Sequence, residues 1–204
     1  MRVISSASRG LRLGLFALIA AACVALDQWA KAAALENLVP GRPVPLVPGV
    51  MDLLLVRNTG AAFSFGEGAG WLFVLVCVAV VVALVAYLWR ATEVPMALVV
   101  CAGLVAGGGV GNLIDRVSRS WVCDFFATTF MDFAVFNVAD IFVCVGVALG
   151  LLFLFLWERE EERREEERSK AAASGVSRSV SEQEHKAQLE QGRGRLTSRK
   201  KGGR

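Results

Sequence analysis

"GGGVGNLIDR", residues 107–116, closes an apolar run that carries no charge from Val94 to Ile114. About 20 mostly apolar residues suffice to cross a bilayer, so the run reads as a spanning helix. Yet it finishes on an amide, a carboxylate and a guanidinium: Asn112, Asp115 and Arg116. Either the helix reaches water there, or these groups face inward toward other polar groups at the same depth. Gly103, Gly107 and Gly111 recur every four residues. They make one helix face small enough for a second helix to approach closely.

Three further blocks share this character. Leu13 to Leu26 is apolar throughout, Trp71 to Trp89 carries no charge, and Phe133 to Trp157 holds one charged residue, Asp140. Of the 204 residues 55% are hydrophobic, and charge is concentrated after Trp157. The pattern predicts an all-α integral membrane protein with four transmembrane helices over 11–34, 71–89, 94–114 and 133–157. Residues 1–157 form the membrane domain, and 158–204 form a charged tail expected to be disordered beyond the pairing run "EREEERREEER" (158–168). Between spans one and two, "GRPVPLVPGVMDLLLVRN" (41–58) leads through prolines and glycines into a β-like run, Val50 to Val56. A small extracytoplasmic β-like platform is expected there. The aromatics of the second outer segment, Trp121, Phe125, Phe126, Phe130, Phe133 and Phe136, suit an interfacial belt.

Arg2, Arg9 and Arg12 before the first block, with "AAC" at 21–23, also resemble a cleavable signal. Against that, "DQWAKAAAL" (27–35) continues as good helix and Ala20 is small for a lipoprotein signal, so an uncleaved span is expected. Cationic segments stay in the cytoplasm. The early arginines, Arg90 and the tail therefore place both termini inside and 35–70 and 115–132 outside. The basic end "GRGRLTSRKKGGR" (192–204) reads as a solvated cytoplasmic tail, with no nucleic-acid partner.

Five cysteines (23, 77, 101, 123, 144) lack the spacing of a metal or redox site. His185, the single histidine, lies in the tail, which argues against Ser-His-Asp and zinc chemistry. No cofactor is expected. Carboxylates remain as acid and base.

Their depths coincide. At 1.5 Å per residue, Asp27 lies about 24 Å along span one, and Asn112 and Asp115 about 27 and 32 Å along span three. Asn137 and Asp140 lie about 6 and 11 Å below the outer surface in span four. With a hydrocarbon core about 30 Å thick, all reach its outer third. Asp27 and Lys31 share a face and can pair. An intramembrane carboxylate costs about 3 kcal/mol or more, so several together imply mutual satisfaction and a task. Two close aspartates cannot both ionise freely, and one then activates water while the other holds a proton. Spacing does not choose the pair among Asp27, Asp115, Asp124 and Asp140, although Asp115 is the nominee that sequence alone favours. The same stripe would also suit a small proton-coupled transporter or channel subunit, but that alternative favours midplane carboxylates and internal repeats, which this sequence lacks.

The motifs "DQWAK" (27–31), "NTGAAFS" (58–64), "GGGVGNLIDR" (107–116), "VCDFF" (122–126) and "FNVAD" (136–140), in this order, resemble those of the lipoprotein signal peptidases, the type II signal peptidases of bacteria. The resemblance covers 11–157. It implies an intramembrane aspartic endopeptidase of the bacterial cytoplasmic membrane, active near the outer leaflet among membrane lipids. Such an enzyme cleaves diacylglyceryl-modified prolipoproteins on the amino side of the lipidated cysteine and is expected to be a monomer. It implies Asp124 and Asp140 as the catalytic pair. Asp27, Gln28, Lys31, Asn58, Asn112, Asp115, Arg116 and Asn137 become substrate-binding or supporting residues. The chain departs from the family pattern at Cys123, at "MDFAVF" (131–136), which lacks a Trp-Pro, and in its long tail; Asp132 has no assigned role.

Overall fold

The computed structural model describes residues 8–60, 70–92 and 94–201, with side chains described as far as Lys170. Arg2, residues 61–64 of "NTGAAFS", and the side chains of His185 and of the basic end lie outside the described residues. Among the described residues four helices are long and apolar enough to cross a membrane. They are α1 (Arg9–Asn37), α2 (Gly70–Arg90), α3 (Met96–Arg119) and α4 (Val138–Lys201). Strands β1 (Val44–Val47) and β2 (Met51–Asn58) lie between α1 and α2, and β3 (Val122–Thr128) lies between α3 and α4. They form one antiparallel sheet in the order β1-β2-β3.

The hydrophobic blocks thus become the helices, with two shifts. The last helix begins at Val138, five residues after the Phe133 expected from hydropathy. Residues 133–137 instead turn back along the sheet, where Phe126 and Phe136 form an isolated antiparallel bridge. Asn137 and Asp140 therefore sit at the very start of α4 and not one or two turns down it. The platform also takes a third strand from the segment expected to be an aromatic belt. Phe125 is buried, Phe126 and Phe136 are half-buried, and Phe130 and Phe133 stay exposed. Strand pairing, which hydropathy does not register, claimed the first three.

Helix α3 is the centre of the bundle. A Cβ at Gly107 would come within 2.6 Å of Cys23 Cβ and 2.8 Å of the Ala20 carbonyl of α1. One at Gly108 would meet the Ala139 carbonyl and Val143 Cγ2 of α4. Without a hydrophobic drive inside lipid, such close backbone packing is what holds helices together. By contrast α2 buries only Leu88 and turns most of its valines outward, Val76, Val78, Val80, Val82 and Val85 among them. Ser120, left-handed at φ 65°, caps α3 by donating its N–H to Arg116 O at 3.0 Å and turns the chain into β3. The sheet packs Leu55, Cys123 and Phe125 on Ala34 of α1. Pro45 lies in the edge strand β1, where a missing N–H costs no ladder bond.

Chain contacts divide the protein into Met1–Phe153 and Leu154–Arg204. The second unit continues α4, with Arg164 Nε 3.2 Å from Glu160 Oε1 as the i,i+4 spacing predicts. The helix runs on to Lys201. The charged repeat accounts for its first turns, and Ala171 to Ala173 are good helix formers.

Candidate active site

Two layers of polar residues meet where α1, α3, β3 and the start of α4 converge. The rear layer begins with Lys31, completely buried on α1. Its ammonium has three N–H groups to place, and three acceptors surround it. Asp27 Oδ2 is 2.8 Å away and Asp115 Oδ2 3.1 Å away, and Asn112 Oδ1 accepts at 2.8 Å. Arg119 supplies the second cation, 3.0 Å from Asp115 Oδ1. Gln28 Nε2 donates toward Asp27 Oδ2, Asp115 Oδ1 and the Gly111 carbonyl at 3.1–3.3 Å. Two carboxylates face two cations, so the buried charge is balanced. Gly111 has to lack a side chain here, because a Cβ would sit 2.6 Å from Asp27 Oδ2.

Each rear carboxylate also reaches forward to a backbone amide. Asp27 Oδ1 accepts the Ala139 N–H at 2.9 Å, and Asp115 Oδ2 accepts the Cys123 N–H at 3.0 Å. Those amides belong to the residues immediately before Asp140 and Asp124. The rear layer thus fixes the backbone from which the front carboxylates project.

The front layer is built on a capping box. Asn137 precedes the first residue of α4, its Oδ1 accepts the Asp140 N–H at 3.1 Å, and Asp140 Oδ2 accepts the Asn137 N–H at 3.0 Å. This reciprocal pair satisfies two helix-terminal donors and locks the Asp140 carboxyl in place. The same Asn137 side chain donates from Nδ2 to Asp124 Oδ1 at 2.6 Å. One amide therefore links both acids. Asp124 Oδ2 accepts from Asn58 Nδ2 at 2.8 Å, and Asp140 Oδ1 accepts from Asn112 Nδ2 at 2.7 Å. A backbone clasp keeps the two segments together: Phe125 and Phe126 donate their N–H groups to Phe136 O at 3.0 and 2.8 Å, and the Phe136 N–H returns to Phe126 O at 3.1 Å.

The direction of every amide is dictated from its other end. A lysine only donates, so the Asn112 oxygen must face Lys31 and its NH2 must face Asp140. The Gly60 N–H, 2.9 Å from Asn58 Oδ1, turns the Asn58 NH2 toward Asp124 in the same way. All four oxygens of the front acids thus meet N–H donors. No lysine or arginine is among the hydrogen-bond or ion-pair partners of Asp124 and Asp140 in the described residues. Burial pushes the Asp124 carboxyl up to about 6; the bond from Asn58 opposes this, and the Asp140 charge adds to it. Beside it the Cys123 thiol is pushed up to about 11, chiefly by burial and then by the Asp115 charge, so it stays protonated and unreactive.

Asp27, Gln28, Lys31 and Asp115 therefore fall in the rear layer, and Asn58, Asn112, Asp124, Asn137 and Asp140 in the front one. Asp115, the nominee of the bare sequence, is held by two cations. Arg116 stands to the side, with Nη2 on the Gly60 carbonyl at 3.1 Å and its guanidinium 5.0 Å over the Phe73 ring. Asp132 is exposed in the β3–α4 loop. Sequence reasoning missed Arg119, although its i,i+4 spacing from Asp115 marks the pair. It also missed the capping box, which Asn-x-x-Asp at the head of an apolar run announces.

Comparison with known proteins points one way. Residues 19–156 match the family model described as signal peptidase (SPase) II. A lipoprotein signal peptidase of Streptococcus thermophilus is 40% identical over 131 residues, covering 64% of this chain and 86% of that protein. The lipoprotein signal peptidase of Geobacillus thermodenitrificans is 39% identical over 142 residues, covering 69% and 89%. That of Bacillus subtilis is 37% identical over 137 residues, covering 66% and 89%. A solved bacterial membrane enzyme superposes with a TM-score of 0.66 at 30% identity, over 70% of this chain and 88% of its own.

Proposed function

This chain belongs to the signal peptidase II family, the lipoprotein signal peptidases, and we propose that within it Asp124 and Asp140 act as an aspartic dyad on one shared water. Membership makes the protein a multi-pass membrane protease and sets aside the transporter or channel reading. The observation that carries the aspartic assignment is Asn137, whose side chain binds Asp124 directly and fixes Asp140 through the helix cap. Two acids held on one neutral amide, with no bonded cation, are arranged to act on a water between them.

In the proposed reaction one carboxyl is protonated and the other ionised. Asp124, pushed up to about 6, suits the proton-bearing role. The ionised member takes a proton from water as its oxygen bonds to the scissile carbonyl carbon. The protonated member hydrogen-bonds the carbonyl oxygen. Collapse of the tetrahedral intermediate breaks the C–N bond, and the leaving amine takes a proton from the dyad, which regains its starting state. Asn58, Asn112 and Asn137 hold both acids still throughout. Asp27, Lys31 and Asp115 hold the backbone, and Gln28 and Arg116 support the cleft.

The substrates are prolipoproteins whose cysteine carries diacylglycerol, cut on the amino side of that cysteine. Arg9, Arg12 and Arg90 set both termini in the cytoplasm of a bacterial inner membrane. The dyad then lies at the outer leaflet, where the acyl chains of the substrate are anchored. The enzyme works as a monomer without a cofactor. Residues 158–204 form a separate tail that cleavage does not need.

Purified protein incubated with a lipidated prolipoprotein should release the signal peptide, with the lipid-modified cysteine as the new N-terminus by mass spectrometry. A cut at any other bond, or no cut, defeats the proposal.

A further inference from the structure

The end of the sheet farthest from Asn58 is apolar and open. In the β1–β2 turn Val47 is 48% and Val50 46% exposed, and in the β3–α4 loop Phe130 is 66% and Met131 49% exposed. These residues form one tip. Val47 pairs with Met51, Met51 pairs with Thr128, and the Thr129 N–H donates to Val50 O at 3.0 Å. Val44 and Leu46 extend it along the edge strand, and no charged residue occurs from Pro43 to Met51. An aqueous domain seldom leaves such a patch uncovered.

The geometry points to the outer leaflet of the bilayer as what covers it: the β1–β2 turn and the β3–α4 loop insert together at the boundary of headgroups and acyl chains. Three observations favour lipid over another protein. The inner face of the sheet packs on Ala30, Ala34, Leu35 and Leu38, the closing turns of α1, so the sheet lies beside the end of a span. At that end Trp29 on α1 and Trp71 at the start of α2 are 69% and 65% exposed, as rings at headgroup level are. The tip thereby extends a surface already apolar along the helices. The depth is limited as well. Irregular backbone cannot enter hydrocarbon with its polar groups unpaired, so only side chains pass the headgroups. Pro45 and Pro48 reduce that burden by removing two N–H groups from the tip. The same sheet carries Asn58 and Asp124, so an anchored tip holds them at a constant height above the acyl chains. This inference depends on the helices being membrane spans and is independent of the dyad.

Nitroxides at Val47→Cys and Phe130→Cys test it in the full-length protein, reconstituted in phosphatidylcholine–phosphatidylglycerol vesicles, with the signal of the labelled parent subtracted. Both labels should relax faster with oxygen than with a water-soluble nickel chelate. Faster relaxation by nickel at both overturns the inference, and so does shielding from both reagents with spin–spin coupling between molecules, which would make a second copy the occupant. As a functional arm, Val47→Asp with Val50→Asp should raise the apparent KM for a vesicle-embedded lipidated substrate about tenfold at unchanged kcat. An unchanged KM likewise counts against it. Because the labels report without turnover, failure of the protease assignment would leave them readable.

Discussion

The rear layer holds two fully buried aspartates, and the front layer one buried, Asp124, and one half-buried, Asp140, yet the two layers are built to opposite ends. Asp27 and Asp115 sit on Lys31 and Arg119, with ion pairs of 2.8–3.1 Å. Asp124 and Asp140 are bonded by amides alone. A carboxylate paired with a cation at this distance has its charge satisfied and its position fixed by that partner. One held by neutral donors keeps its position while its proton remains exchangeable. In this bundle bonded cations, and not residue type, separate the two pairs of aspartates.

The harshest way to break the comparison is to neutralise one acid in each layer. Asp124→Asn or Asp140→Asn should lower kcat by roughly ten-thousandfold or more while the protein still inserts and melts normally. Retained cleavage in either variant, measured on lipidated substrate, would remove the distinction between the layers.

The rear layer should fail in the other currency. Lys31→Met leaves the fully buried Asp27 with no cation and Asp115 with Arg119 alone. Removing one partner of a buried ion pair costs about 3–5 kcal/mol, so thermal unfolding in detergent should shift sharply downward. Activity per folded molecule should fall less than in the Asp124 and Asp140 variants. An unchanged melting temperature would show that Lys31 is not the keystone of the rear layer.

The two layers were also unequally legible. Asp27–Lys31 was readable because i,i+4 spacing on an uninterrupted helix leaves the pair little freedom, and Asn112 and Asp115 followed from the depth at which their run ends. The front pair was not. Asp124 lies on a strand that hydropathy passes over, and Asp140 at a helix start that apolar content placed five residues early. What joins them is a sheet register and a capping box, both long-range outcomes of a chain reversal at Phe136. Resemblance names a pair where spacing leaves four candidates open. The spans were readable because lipid demands a length of apolar chain, whereas the third strand was set by pairing partners as far apart in sequence as Met51 and Thr128.

The smallest effect sharpens the comparison most, because it moves a proton and leaves the fold alone. Asn58 lies across the sheet from Asp124 and is half-buried, so Asn58→Leu removes one donor from Asp124, together with the acceptor of the Gly60 N–H. Burial has already raised Asp124 to about 6, and the Asn58 bond opposes that rise. Without the bond the proton is held more tightly, and Asp124 ionises at higher pH. If the active dyad carries one proton, activity is lost as pH rises through the Asp124 titration. The alkaline limb of kcat/KM should therefore begin near or above pH 6 in the parent and move upward in the variant, with reduced kcat at the plateau. A limb that stays in place, or moves down, would mean that Asp124 is not the residue whose proton the reaction uses. Arg119→Gln, which removes a cation from Asp115 in the rear layer and touches neither front acid, should leave the limb where it was.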